Sequence, residues 1–352
     1  MPTETMTQRE RWQAVVNREA PDRIPMYYRA TDEASEKLMK YLQCTTMEEI
    51  CLRLHIDQNV NLAPRYKGGP VPLGEDIYGR KYELMTYENG NYRECVFHPL
   101  AEFATVAEIE AQYIWPSADW FDYSGIPAQV AAAENRVIAG GGSEPFLIYK
   151  HLRGEEQSFI DLIEHPDIVH YCLEQLYGYC YERSTRIYEA AQGRVNMTAV
   201  AEDMGAQDRL LYSRAHLETF FFPYMKRMID LAHQAGAKVN THSDGSIIEI
   251  LPDLIEMGVD IINPIQWRCK GMERERLKRE FGDQLIFEGG VDNQYTLPFG
   301  TEEEVREEVR ENIRILGAGG GYIITPCHNI QVVGPAENVV AMFDEGYEAG
   351  WA

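Results

Sequence analysis

Five short β-rich segments in the second half of the chain each end in a group of polar residues. These groups are EDMG at 202–205, HSD at 242–244, NPIQ at 263–266, EGGVD at 288–292 and CHN at 327–329. Helix-patterned stretches separate the segments, and strands that alternate with helices form a parallel sheet. The carboxyl ends of parallel strands meet at one mouth, where binding and catalytic residues collect. The pattern therefore predicts the second half of a (β/α)8 barrel.

The clearest helix of this half begins after Thr301. Thr301 and Glu304 have the spacing of a capping box, in which each side chain accepts a hydrogen bond from the backbone N–H of the other residue. Gly317 can end the helix. Its apolar stripe consists of Val305, Val309, Ile313 and Leu316. Such a stripe packs one helix face against a sheet, as a barrel requires.

The first half of the chain interrupts the alternation. We expect a helix, a first strand and a second helix at 10–17, 23–28 and 32–41. Two β-rich runs, 81–87 and 92–98, flank Asn89-Gly90, which is a strong signal for a two-residue hairpin turn. We therefore predict a TIM barrel with an N-terminal helical extension and an antiparallel hairpin inserted near its mouth.

A glycine run follows the next predicted strand, at 136–139. The three glycines at 140–142 could cradle a phosphate, but they lack the GxGxxG and Walker spacings, so a tight turn from strand to helix is the better interpretation. Residues 158–191 have a helical pattern with a break near His165-Pro166.

Length and composition fit one domain that spans residues 1–352. The 352 residues can hold a barrel of about 250 residues plus additions. The formal net charge of −23 argues against nucleic acids and anionic membranes as partners. The seven cysteines contain no CxxC pair, a usage typical of a reducing compartment. Because we find no signal-peptide pattern and no apolar run long enough to span a membrane, we expect a cytoplasmic protein.

Several of these segments, taken in order, resemble the uroporphyrinogen decarboxylase superfamily. They are ERWQAVVNREAPDRIPMYY near the amino terminus, the His-x-Asp-Gly turn at His242, GVDIINPIQ, GGVDNQ and GGGYIITPCHNIQ. The resemblance covers nearly the whole chain and implies a (β/α)8 barrel. It also implies one of two activities: decarboxylation of a tetrapyrrole without a cofactor, or methyl transfer to or from the cobalt of a corrinoid carried on a partner protein, generally with zinc.

The segment after the first strand favours the methyltransferase branch. The decarboxylases carry an arginine-rich stretch there, because guanidinium groups neutralise the carboxylates of their substrate. This chain has YYRATDEASEKL, in which Arg29 is the only arginine and Asp32, Glu33 and Glu36 follow it. A polyanionic substrate would meet net negative charge.

The resemblance also implies the residues of a metal site. Related methyltransferases that act on coenzyme M hold zinc with a His-x-Cys pair on one strand end and a cysteine on the last strand. Here His242 matches the histidine, Asp244 stands where the cysteine would be, and Cys327 or His328 matches the last ligand. The loss of sulfur ligands puts zinc itself in question, and a harder N/O site suits an oxygen substrate better.

We therefore expect an enzyme that demethylates a small O-methyl or N-methyl compound and passes the methyl group to a separate corrinoid protein, which docks transiently. The expected zinc ligands are His242, His328, Cys327 and Glu202. The expected catalytic residues are Asp203, Asp244 and Glu288, and the expected substrate contacts are Gln266, Asn329 and Arg29. The alternatives are a cofactor-free decarboxylase and a barrel that binds a ligand without catalysis. A homodimer stays open.

Several of these residues also have a structural explanation. His242 could be a core histidine bonded to a backbone carbonyl, and Cys327 is as well explained as a small buried filler. Glu202 and Asp203 could complement the dipole of the next helix, and Asp244 could be an N-cap. Position at a barrel strand end is what favours the functional interpretation.

Overall fold

The computed structural model describes residues 3–87 and 90–351. In chain order its strands are β1 (Asn59–Asn61), β2 (Arg65–Tyr66), β3 (Lys81–Tyr87), β4 (Gly90–Phe97), β5 (Phe121–Asp122), β6 (Val137–Ala139), β7 (Met197–Ala199), β8 (Lys238–His242), β9 (Ile261–Asn263), β10 (Ile286–Val291) and β11 (Tyr322–Pro326). Seven of them form one parallel sheet in the order β1-β6-β7-β8-β9-β10-β11. This sheet curls into a barrel, as the alternating pattern predicted.

A short segment around Met26 closes the barrel between its first and last strands. Met26 makes a parallel bridge with Ile324, and the N–H of Tyr27 donates to the carbonyl of Ile324 at 3.0 Å. On the other side, the N–H of Asp57 donates to the carbonyl of Met26 at 2.8 Å. The predicted strand at 23–28 is thus reduced to bridges, but it occupies the eighth position of the barrel.

The helices surround the sheet and fill the connections between its strands. They are α1 (Gln8–Val16), α2 (Asp32–Leu42), α3 (Met47–Arg53), α4 (Val106–Gln112), α5 (Ile126–Ala133), α6 (Pro145–Arg153), α7 (Glu155–Glu164), α8 (Pro166–Ala191), α9 (Arg214–His216), α10 (Phe222–Gln234), α11 (Leu251–Met257), α12 (Arg274–Phe281), α13 (Thr296–Phe299), α14 (Glu302–Leu316) and α15 (Ala336–Ala349). Among the described residues, no helix is long and apolar enough to cross a membrane.

Local sequence signals explain several of these boundaries. Thr301 and Glu304 form the predicted capping box at the start of α14. The predicted break near His165-Pro166 is confirmed, because α7 ends at Glu164 and α8 begins at Pro166. The glycine run is a tight turn: Gly142 has φ +111, and a Cβ there would lie 2.3 Å from the carbonyl oxygen of Ala199.

The segment between β1 and β6 holds the predicted insertion. β3 and β4 pair antiparallel, and a second small sheet pairs β2 with β5. Asn91, near the turn, donates from Nδ2 to Oε1 of Glu33 at 3.3 Å. Glu33 lies in the first turn of α2, so the hairpin reaches the mouth side of the barrel, as expected. Asn89 of the predicted turn lies outside the described residues.

Apolar side chains fill the amino-terminal half of the barrel interior. This cluster consists of Trp12, Val15, Tyr27, Val137, Ala139, Met197, Ile261, Ile286 and Ile323. Trp12 and Val15 belong to α1, which therefore seals the amino end. Because side chains alternate along a strand, the next inward positions on β9 and β10 are Asn263 and Glu288. The interior thus changes from apolar to polar toward the mouth.

Candidate functional site

A histidine and two aspartates lie together at the ends of β7 and β8. Asp203, His242 and Asp244 each offer one potential ligand atom, and these three atoms lie within 4.8 Å of one another. Nε2 of His242 is 3.9 Å from Oδ1 of Asp203 and 3.8 Å from Oδ1 of Asp244. All three side chains are part-exposed, which leaves the cluster accessible from the mouth.

Two loops that cross closely hold the aspartates in place. The N–H of Asp244 donates to Oδ1 of Asp203 at 3.1 Å. Oγ of Ser243 accepts a bond of 2.9 Å from the N–H of Met204. Gly245 has φ +84, and a Cβ there would lie 2.4 Å from the carbonyl carbon of Gly205. The loop after β8 therefore needs glycine at this position to approach the loop after β7.

The orientation of His242 follows from its contact with Asn263. Nδ2 of Asn263 donates to the backbone carbonyl and to Oε1 of Glu288, both at 3.2 Å, so Oδ1 is its acceptor atom. That Oδ1 lies 2.9 Å from Nδ1 of His242. Nδ1 therefore carries a hydrogen, and Nε2 faces the two aspartates.

Glu288 is fully buried below this layer and binds three side chains. Its carboxylate accepts from Nη2 of Arg29 at 2.8 Å and from Nδ2 of Asn240 at 2.7 Å, in addition to Asn263. Arg29 also donates to Oδ1 of Asn263 at 3.1 Å. The contacts place Glu288 as the counter-ion of Arg29 and not as a group that faces the mouth.

A fourth carboxylate, Glu144, lies near the cluster and was missed by the sequence analysis. It follows the glycine turn after β6, and burial raises its pKa, with the negative charge of Asp203 adding to the effect. Burial also raises the pKa of Asp244, because His242 offsets only part of that effect. Within the described residues, no lysine or arginine forms an ion pair with Glu144, Asp203 or Asp244. The sequence signal that could have identified Glu144 is an acidic residue directly after the turn at the end of a strand.

Glu202 points away from the cluster although it is adjacent to Asp203 in sequence. Its Oε1 accepts from the N–H of Phe146 at 2.9 Å and from the hydroxyl of Tyr177 at 3.1 Å. The side chain is 1% exposed, and burial raises its pKa to about 8. Glu202 thus holds the first turn of α6 in the described structure.

The last strand brings His328 near the cluster and keeps Cys327 buried. The ring centroids of His328 and His242 are 6.4 Å apart. Sγ of Cys327 donates to the carbonyl of Ile265 at 3.1 Å, and burial raises the pKa of this thiol well above its ordinary value. Gln266, one of the expected substrate contacts, donates instead to Oδ1 of Asp244 at 2.9 Å. Asn329, another expected contact, is exposed at the rim.

The donor set fits a hard or borderline divalent cation. One imidazole nitrogen and two carboxylate oxygens are a ligand set that zinc accepts, and three protein ligands leave a position for a substrate atom. The absence of a thiolate from the cluster makes it a site for nitrogen and oxygen chemistry. Asn263 and Gln266 orient two of the three ligands from behind.

Comparisons with known proteins place this chain in one family. The family model described as uroporphyrinogen decarboxylase (URO-D) matches residues 129–348. Uroporphyrinogen decarboxylase of Anaeromyxobacter dehalogenans is 25% identical over 97% of this chain and 99% of that protein. Its counterpart from Anaeromyxobacter sp. (strain Fw109-5) is 27% identical over 64% of this chain and 63% of that protein.

A solved structure matches the fold at lower identity. A methyltransferase from Methanosarcina mazei superposes with a TM-score of 0.68 over 97% of this chain and 99% of that chain. The two sequences are 17% identical, so the likeness supports the barrel and its connections.

Proposed function

Because the chain belongs to the uroporphyrinogen decarboxylase family, whose members are decarboxylases or methyltransferases, we propose that it is a zinc-assisted, corrinoid-dependent methyltransferase. It demethylates a small O-methyl or N-methyl compound and passes the methyl group to the cobalt of a separate corrinoid protein. The observation that carries this proposal is the cluster of Asp203, His242 and Asp244 at the barrel mouth. A methyl ether is a poor donor, since its leaving group departs as an alkoxide, and this cluster can hold the Lewis acid that it needs.

Arg29 supports the same choice. Polycarboxylate substrates need several guanidinium groups, but Arg29 is bound to the buried Glu288 at 2.8 Å and is followed by acids at the start of α2. At the same end of the barrel, Glu144, Asp203 and Asp244 add negative charge to the mouth. Such a surface attracts a cation and repels a tetrapyrrole with many carboxylates.

The proposed reaction transfers a methyl cation equivalent. The bond between the methyl carbon and its heteroatom breaks, and the bonding pair stays on the heteroatom. An alkoxide that leaves in this way takes a proton from solvent water, whereas an amine that leaves from a quaternary nitrogen is already neutral. Co(I) of the corrinoid supplies the pair that forms the Co–C bond and becomes Co(III). Zinc, when bound by Asp203, His242 and Asp244, supplies Lewis acidity toward the leaving heteroatom. The chain itself orients the ligands: Asn263 fixes His242, and Gln266 fixes Asp244.

The second candidate is a decarboxylase. The observation that favours it is the relative from Anaeromyxobacter dehalogenans, which bears that name and matches along almost its full length. Formation of coproporphyrinogen from uroporphyrinogen in an anaerobic assay would establish this candidate and reject the first.

The test of the methyltransferase is spectroscopic. Protein is mixed anaerobically with a reduced corrinoid protein and candidate methyl donors, and conversion of Co(I) to methyl-Co(III) is followed by absorbance. We expect conversion, about one zinc per chain, and loss of both in His242→Ala. We also expect His328→Ala to abolish conversion while the fold remains intact. Fully active protein without metal would reject zinc, and full activity in His328→Ala would place the chemistry at another strand end.

A further inference from the structure

A groove without charged side chains lies at the rim of the barrel mouth. Its volume is about 500 Å³, and its lining consists of Gln207, Asn293, Gln294, Tyr295, Pro298, Phe299, Gln331 and Val333. One quarter of the chain is charged, and the net charge is −23. A lining of amides and apolar groups is therefore unusual on this surface. Charge depletion with exposed aromatic rings is typical of the core of an interface.

The groove lies on the same face as the candidate site. Its residues come from the loops that follow β7, β10 and β11, which all emerge at the carboxyl ends of the strands. On one side, Gln207 accepts through Oε1 from Sγ of Cys269 at 3.5 Å, and Cys269 donates its N–H to the carbonyl of Gln266. Gln266 in turn binds Asp244. A short series of contacts thus connects the groove to the metal ligands.

The loop after β10, which supplies two of the groove's four amides, Asn293 and Gln294, is held by hydrogen bonds from below. The buried carboxylate of Asp292 accepts the N–H groups of Gln294, Tyr295 and Thr296 at 3.0–3.2 Å and binds Arg268 at 2.9 Å. The backbone is therefore fixed, and the side chains of Gln294 and Tyr295 are exposed above it. Tyr295 is 62% exposed and Phe299 is 67% exposed.

The chemistry of the lining selects a neutral ligand with amide groups and apolar surface. Amide side chains both donate and accept hydrogen bonds, so they pair well with other amides. Aromatic rings such as those of Tyr295 and Phe299 add apolar contact area. The edge of a corrin macrocycle has this character, because neutral acetamide and propionamide groups surround an apolar ring.

We propose that this groove binds the amide-bearing edge of the corrin whose cobalt receives the methyl group. The inference rests on the proposed function and names the surface that positions the macrocycle above Asp203, His242 and Asp244.

The first experiment measures binding of a free corrin. Dicyanocobinamide is used as the probe, because its cyanide ligands prevent coordination of cobalt by His242 or His328. Equilibrium dialysis should show binding to the wild-type protein. Cobyrinic acid heptamethyl ester, which has esters in place of amides and donates no hydrogen bonds from them, should bind at least about tenfold more weakly. Equal binding of the two corrins, or no binding of cobinamide, would overturn the proposal.

Two matched variants locate the binding. Gln294→Glu places a carboxylate in the groove, whereas Gln284→Glu places the same charge on an exposed residue that precedes β10, at the opposite face of the barrel. We expect Gln294→Glu to raise the cobinamide dissociation constant about tenfold and Gln284→Glu to leave it unchanged. Zinc content should be unchanged in both. An unchanged constant in Gln294→Glu, or self-association through the groove that cobinamide does not displace, would reject it.

The outcomes separate this inference from the proposed function. Methyl transfer that proceeds with an unchanged KM for the corrinoid protein in Gln294→Glu rejects the groove and leaves the function standing. Specific cobinamide binding without methyl transfer from any donor supports the groove and counts against the methyltransferase.

Discussion

The two ends of the barrel each contain a cluster of charged side chains, but the charges are balanced in different ways. At the amino end, the buried guanidinium groups of Arg11 and Arg23 meet Asp57 at 2.6 and 2.8 Å, and Arg11 meets Asp22 at 2.7 Å. At the mouth, Arg29 is bound to Glu288, whereas Asp203 and Asp244 have His242 as their neighbour.

The pKa values of the carboxylates differ accordingly. Burial alone would raise the pKa of Asp22, but hydrogen bonds from Arg11 and from the N–H groups of Met6 and Thr5 outweigh it and lower the pKa to about 2. At the mouth, burial raises the pKa of Glu144 and of Asp244, because no guanidinium compensates for it.

The difference separates a stabilising network from a binding site. In TIM barrels the amino-terminal face serves stability and the carboxyl-terminal face serves chemistry. At the amino end, the paired charges connect α1 to the start of the segment around Met26 and to the loop before β1. Unmatched carboxylates at the mouth cost stability, and a bound cation would remove that cost.

The largest effect on stability is expected when the ion-pair network at the amino end is disrupted. Asp57→Asn removes a carboxylate that is 2% exposed and leaves Arg11 and Arg23 without the buried counter-ion that they share. We expect the free energy of unfolding in urea to fall by about 3–5 kcal/mol. Glu4→Gln is the matched control, because Glu4 binds the same two arginines but its side chain is 34% exposed. Its loss should cost less than about 1 kcal/mol. Equal effects of the two changes would show that burial does not decide the strength of this network.

The second largest expected effect concerns Glu202, a buried carboxyl group at the mouth that has no cationic partner among the described residues. Burial raises the pKa of Glu202 to about 8 in the folded state, above the ordinary value of 4.5. The unfolded chain therefore releases this proton first, and stability is lost as pH rises from about 4.5 to about 8 and then levels off. Glu202→Gln imitates the protonated form and should remove this loss.

The measurement is the free energy of unfolding from pH 5 to pH 8, after chelation so that release of metal from the neighbouring Asp203 does not contribute. We expect Glu202→Gln to be more stable than wild type at pH 8 by on the order of 3 kcal/mol and similar at pH 5. Identical pH profiles would mean that Glu202 is ionised in the folded protein and compensated by its partners Phe146 and Tyr177.

The sequence predicted the barrel because strong local signals mark most of its elements. Seven of the eight strand positions were visible as β-rich runs. β1 was missed because Asn59-Val60-Asn61 is short and asparagine is depleted in strands, so nothing local distinguishes it from a loop. Its parallel pairing with β6 is set by the tertiary structure.

The sequence predicted which strand ends carry the candidate site residues, but not which side chains contact one another there. His242 and Asp244 are fixed by their place at the end of β8 and directly after it. The neighbour of His242 depends on how the loop after β7 folds back, and that depends on Ser243 and on the glycine contact at 245. The expected set with Glu202, Cys327 and His328 stays a prediction, while the structure groups Asp203 with the two β8 residues. Glu288 and Asn263 meet because β9 and β10 are in register, which no local pattern reveals.

The smallest expected effect concerns Asn263, an uncharged residue that orients side chains at the mouth. It tests whether the mouth is ordered by neutral hydrogen bonds, in contrast to the ion pairs of the amino end. Asn263 accepts from Nδ1 of His242 and from Arg29, and it donates to Glu288. Asn263→Leu removes these bonds but leaves the proposed zinc ligands in place. Groups that orient a ligating histidine typically contribute 10–100-fold to metal affinity, so we expect zinc to dissociate about 10–100-fold more readily.

The control is Asn263→Asp, since an aspartate keeps the acceptor that holds Nδ1–H of His242. Competition with a coloured chelator should give this variant a zinc affinity nearer to wild type than that of Asn263→Leu. Circular dichroism should show the same fold for all three proteins. If both variants bind zinc like wild type, the tautomer of His242 is set by something other than Asn263, and the mouth is ordered by its aspartates alone. If both lose zinc equally, the donation from Asn263 to Glu288 matters more than its acceptance from His242, and the pair of Arg29 with the buried Glu288 is then what holds the ligands in place.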